Sequence, residues 1–63
     1  MKLVIDEIIK EKGLKNGYVA KKVGVNVRTL YKWRNNESYP RLDKAIKLAG
    51  VLNVEVNDLY IIH

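Results

Sequence analysis

The side chains able to do chemistry in this chain are mostly cations, and they are concentrated in its middle. Between Lys12 and Lys47 stand ten basic residues, Lys12, Lys15, Lys21, Lys22, Arg28, Lys32, Arg34, Arg41, Lys44 and Lys47. Only Glu37 and Asp43 oppose them, so this stretch carries a net +8. The two ends hold Lys2 and Lys10 against Asp6, Glu7, Glu11, Glu55 and Asp58, a net −3. A basic centre between acidic ends suggests a surface facing a polyanion; the plainer alternative is a solvated, lysine-rich surface. Other chemistry lacks its residues. There is no cysteine, and the one histidine is His63 at the end. A thiol nucleophile, a thiolate or histidine zinc site and a histidine-based triad are therefore not expected. Neither an enzymatic activity nor a cofactor is expected.

Something must position those cations, and the chain has little with which to do it. Sixty-three residues make one small domain, residues 1–63, without a disulfide to staple it. A chain of this size buries only about 60% of the surface that it exposes when unfolded. With 48% hydrophobic and 30% charged residues the composition is globular rather than disordered. The longest apolar runs, Leu3-Val4-Ile5 and Leu59-Tyr60-Ile61-Ile62, fall far short of a membrane span of about 20 residues. They are also too short for a signal peptide, so a soluble cytoplasmic domain is expected.

The apolar period is helical. Ile5, Ile8 and Ile9 before Gly13 predict a first helix near residues 3–12. Val19, Ala20 and Val23 before Gly24 predict a second near 16–23. Asn26 is a good N-cap type for a third near 27–35, which carries Leu30 and Trp33. The polar run from Asn35 to Pro40 reads as a turn. Leu42, Ala45, Ile46 and Ala49 mark a fourth helix near 41–52, and Val56 to Ile61 a short fifth. No stretch alternates convincingly as a strand. The expected class is all-α, a compact five-helix domain.

Residues 16–35 are the most informative. Two short helices are joined by only Gly24-Val25-Asn26. Ala20 is small where the helices approach, and Gly24 tolerates the positive φ of a tight turn. Val19, Val23, Val25, Leu30 and Trp33 are apolar where the pair must face inward. That is the pattern of a DNA-binding helix-turn-helix, whose second helix enters the major groove. Nearly the whole chain resembles the phage-repressor (Cro and Xre) family, with its lambda-repressor-like fold. The family pattern runs Leu-Ser/Thr-Gln-x-x-Leu-Ala-x-x-x-Gly-Val-Ser, a recognition helix, a loop ending in Pro, and a helix ending Ala-x-x-Leu-x-Val. Here it reads Leu14 to Asn26, then Tyr39-Pro40-Arg41-Leu42, then Ala49 to Val54, closing with Asn57-Asp58-Leu59. The resemblance implies five helices and binding to operator DNA as a dimer. There are departures. Lys15 stands for the usual Ser/Thr cap and Asn16 for the usual Gln. Many members pair an arginine on the first helix with a glutamate ending the recognition helix; Ile9 and Arg34 hold those positions. The pair then reads as absent at both ends, leaving Arg34 to solvent or a phosphate.

By family position Val27, Arg28 and Lys32 meet base edges. Arg28 suits a guanine through O6 and N7, Lys32 another guanine, and Val27 a thymine methyl. Tyr31 is a further base or phosphate candidate. The alternative for these side chains is an ordinary solvated helix surface. Trp33 faces inward by its place in the pattern and is expected in the core. Lys15, Asn16, Asn35 and Tyr39 are phosphate candidates, and Asn26 is both a cap and a phosphate candidate. Arg41 is expected at the backbone or in the minor groove, where it would sense groove width. Lys21 and Lys22 are expected to be solvated. Leu59 should complete the core, while Tyr60, Ile61 and Ile62 leave apolar surface for a dimer contact.

The leading expectation is a sequence-specific repressor that binds double-stranded DNA as a weak homodimer, without a small-molecule effector. Two alternatives compete with it: an architectural or recombination accessory protein, and an antitoxin-type protein-interaction module.

Overall fold

The computed structural model describes residues 2–61. Helix α1 (Ile5–Lys12) has Asp6 and Glu7 in its first turn and Lys10 and Lys12 in its last, complementing the helix dipole at both ends. Helix α2 (Asn16–Val23) stops at Gly24, which adopts φ +89°. A side chain there would be strained, so the tight turn into the next helix depends on this glycine. The Val25 N–H closes the turn by donating to the Ala20 carbonyl at 3.0 Å. Asn26 caps helix α3 (Val27–Arg34), its Oδ1 accepting from the Thr29 N–H at 2.8 Å. Helix α4 (Leu42–Leu52) ends on Asn53 at φ 59°, a left-handed conformation that asparagine tolerates.

These helices surround one apolar core. It joins Leu3, Ile5 and Ile9 to Val19, Ala20 and Val23, to Leu30 and Trp33, and to Ala45, Leu48, Ala49, Leu52 and Leu59. Trp33 is 4% exposed, so its inward assignment holds.

The C-terminal segment corrects the expected five-helix count. The described residues form four α-helices, and Val56–Leu59 forms only a 3₁₀ turn. Tyr60–Ile61, strand β2, then pairs antiparallel with Lys2–Leu3, strand β1, with Lys2 opposite Ile61 and Leu3 opposite Tyr60. A capping box holds the 3₁₀ turn, with the Glu55 N–H donating to Asp58 Oδ2 at 3.0 Å. The turn brings Leu59 into the core beside Leu3. It also pairs the backbone of the two ends, the Val4 N–H donating to the Leu59 carbonyl at 2.8 Å. Asn36, at φ 60°, completes the far side of β1. Its Oδ1 accepts from the Leu3 N–H at 2.8 Å, and its Nδ2 donates to the Leu3 carbonyl at 3.1 Å. One side-chain amide thus does the work of a neighbouring strand. No helix among the described residues is long and apolar enough to cross a membrane.

Candidate nucleic-acid interface

Helix α3 divides cleanly. Leu30 and Trp33 are buried on one side, while Val27, Arg28, Tyr31, Lys32 and Asn35 are exposed. At about 100° per residue those five span an arc of about 140°, opposite the buried pair. The arc holds two cations, an aromatic ring, a β-branched apolar side chain and an amide. With the Asn26 cap at its start, the helix presents N–H donors, a phenol and a methyl-bearing surface along one ridge. Such a ridge fits the mixed acceptor and methyl pattern of a major groove.

Beside the ridge the outer residues differ in their freedom. Lys15, at the N-cap of α2, is exposed and makes no side-chain capping bond. Tyr39 is about half exposed, and the Arg41 side chain is open to solvent with only a 4.0 Å contact to Asp43. Asn35 is exposed and its Nδ2 donates to Glu37 Oε2 at 3.3 Å. Lys22 lies over the ring of Tyr18, 5.9 Å from its centroid. Tyr18 is a further half-exposed side chain of α2 that the sequence reading did not single out.

The expectation for Arg34 needs correction. Arg34 does not face solvent; its side chain is 11% exposed. Its Nε donates to Asp6 Oδ1 at 2.7 Å, its Nη2 lies 2.6 Å from the same oxygen, and its Nη1 donates to Asn16 Oδ1. A carboxylate–guanidinium pair between the first helix and the recognition helix is therefore present, with its charges reversed from the family habit. The partner escaped the sequence reading because it is not at Ile9 but at Asp6, three residues earlier on the same side of α1. Asn16, proposed as a phosphate contact, is half-buried with its carbonyl oxygen committed to Arg34. Its Nδ2 is the part left for another partner. Desolvation pushes the Asp6 carboxyl up, but hydrogen bonds and charge from Arg34, with Lys10 at 3.1 Å, outweigh it and hold the carboxyl below its usual range. The triad of Asp6, Asn16 and Arg34 ties the end of α3 to α1 and to the start of α2.

Tyr60 is half-buried in the terminal ribbon, where desolvation raises its phenol above the usual value. Ile61 is 42% exposed, and Ile62 lies outside the described residues.

The helix-turn-helix family model matches residues 5–59, most of the chain. This chain belongs to the helix-turn-helix family, of the Xre/Cro-like kind. A solved candidate DNA-binding protein from Bacteroides fragilis is 33% identical over 92% of this chain and 94% of its own, with a TM-score of 0.85. A transcriptional regulator from Listeria innocua is 28% identical and covers this chain completely, with a TM-score of 0.77. This helix-turn-helix chain spans 64% of that longer regulator. No curated protein matches the chain.

Proposed function

We propose that this helix-turn-helix protein is a non-enzymatic, sequence-specific DNA-binding regulator of transcription, in its simplest form a repressor that occupies a promoter. The observation that carries this reading is the outward ridge of α3, set opposite the buried Leu30 and Trp33. In the proposed complex α3 lies in the major groove. Arg28 and Lys32 donate to guanine edges, Val27 packs on a thymine methyl, and Tyr31 touches a base or an adjacent phosphate. Lys15, Asn26, Asn35, Tyr39 and the Asn16 amide nitrogen bind the backbone and set the register. Arg41 meets the backbone or the minor groove. The family and the two relatives, one named for DNA binding and one for transcriptional regulation, support this reading.

One such helix reads only a few base pairs. The operator is therefore proposed to be palindromic and bound by a homodimer, its half-sites about 34 Å apart. Selection of binding sites from random duplexes tests this. The expected result is an enriched two-fold symmetric sequence. Retention of DNA without any enriched sequence would favour an architectural role, and co-purification of an unlike chain would favour an antitoxin-type module.

A further inference from the structure

Arg34, the last residue of α3, offers hydrogen-bond donors and no acceptor. Two of its nitrogens go to one carboxylate oxygen: Nε lies 2.7 Å and Nη2 2.6 Å from Asp6 Oδ1. The other Asp6 oxygen is held by Lys10 Nζ at 3.1 Å. Held along that edge, the planar guanidinium aims Nη1 at Asn16. A donor is matched only by the oxygen of the Asn16 amide, so Oδ1 faces Arg34 and Nδ2 points elsewhere. The flipped amide would set N–H against N–H. A carboxylate in place of Arg34 would do the reverse, drawing the amide nitrogen in and leaving the oxygen outside. Nδ2 makes no hydrogen bond among the described residues. No buried side-chain polar atom among them lacks a partner, so Nδ2 is open to solvent.

We infer that Arg34 is a positioning residue for DNA binding: by holding the Asn16 oxygen it fixes the amide with its nitrogen outward, toward the sugar–phosphate backbone. A phosphate presents acceptor oxygens and negative charge. An outward amide nitrogen suits it, and an outward carbonyl opposes it. Arg34 itself has its fork occupied and is 11% exposed, so it acts through Asn16. Because Arg34 ends α3 and Asn16 opens α2, the same bond ties the backbone contact to the helix proposed to read the bases. The inference rests on that proposed operator binding.

Two near-isosteric variants of the full chain test it. Arg34→Lys keeps the charge but replaces the rigid fork with one ammonium. Asn16→Asp keeps the oxygen that Arg34 needs but turns a carboxylate oxygen outward in place of the nitrogen. Asn16→Asp should melt no lower than the wild type, because its carboxylate pairs with Arg34 and lies in the first turn of α2.

Affinity for the selected operator is then measured by fluorescence anisotropy. Asn16→Ala and Arg34→Lys should each bind about threefold to tenfold more weakly. In the Asn16→Ala background, Arg34→Lys should cost nothing further, since both variants remove the same contact. The salt slope of Arg34→Lys should equal the wild type's, because no charge is lost. Asn16→Asp should bind about tenfold or more below Asn16→Ala, through like-charge repulsion. That excess should vanish when one phosphate in each half-site is replaced by a neutral methylphosphonate, at the linkage that Asn16 meets.

Arg34→Lys binding like the wild type would overturn the inference. So would an equal loss with and without the Asn16 side chain, or Asn16→Asp binding no worse than Asn16→Ala. An Asn16→Asp excess that no methylphosphonate removes would overturn it as well. If Arg34→Lys does not fold, the two Asn16 variants still carry the test. A wild type that selects no operator sinks the functional reading and this inference with it. An operator bound equally well by Arg34→Lys and Asn16→Asp sinks this inference alone.

Discussion

At the scale of single residues, the feature that most changes how the molecule is understood is Arg34. A guanidinium at 11% exposure needs a counter-charge and filled hydrogen-bond sites, and Asp6 and Asn16 supply them. Asp6→Asn removes the charge and leaves the guanidinium poorly compensated. We expect a loss of about 1–3 kcal/mol at neutral pH, below the cost of breaking a fully buried pair because Asp6 is partly solvated. The pH dependence has a definite sign. The Asp6 carboxyl titrates lower in the folded chain than its usual value of about 3.9. Its stabilisation is therefore present above that value and disappears as the pH falls through the lower, folded-state value. Thermal melts from neutral pH down into the acid range should show the gap between wild type and Asp6→Asn closing below about pH 4. A gap that stays constant across that range would mean that the ion pair does not stabilise the fold.

At the scale of elements, the helix-turn-helix unit was legible because each local preference agrees with the next. Gly24 takes positive φ, Asn26 caps, and Leu30 and Trp33 fall on one side. Trp33→Ala should cost about 3–5 kcal/mol in chemical denaturation. Asn26→Ala should cost about 1 kcal/mol through the lost cap. A Trp33→Ala protein with wild-type stability and only a DNA defect would contradict the core assignment. The elements that were not legible depend on contacts distant in sequence. A ribbon of two residues per strand leaves no alternating pattern, and its partner lies at the opposite end of the chain. Asn36 looked like ordinary turn chemistry, although its amide completes β1 across 33 positions. Leu42 and Ile46 fitted the helical period of α4, but the core lies one side further round, on Ala45, Leu48 and Leu52. Period alone locates a stripe, not its edges. Arg34 follows the same pattern: its partner stands not at the family position, Ile9, but at Asp6, a neighbouring position on the same helix face.

At the scale of the whole molecule, charge and shape divide the labour. The basic middle of the sequence contains α2, the turn and α3, while the acidic ends contribute α1, the 3₁₀ turn and the terminal ribbon. If two copies together neutralise about 8–10 phosphates, the logarithm of the binding constant should fall with log salt at a slope of about −7 to −9. Salt titrations on the selected operator measure that slope. Lys15→Ala and Arg41→Ala should each make it shallower and should weaken binding to specific and random DNA alike. The central claim is that the outward face of α3 reads base identity, once in each half of a symmetric site. The base-preference profile of Arg28→Ala, compared with that of the wild type at one salt concentration, tests it most directly. Discrimination should relax by about 1–3 kcal/mol at a single base pair in each half-site, at two symmetry-related positions, with the fold unchanged. A profile identical to the wild type's at every position would contradict the account.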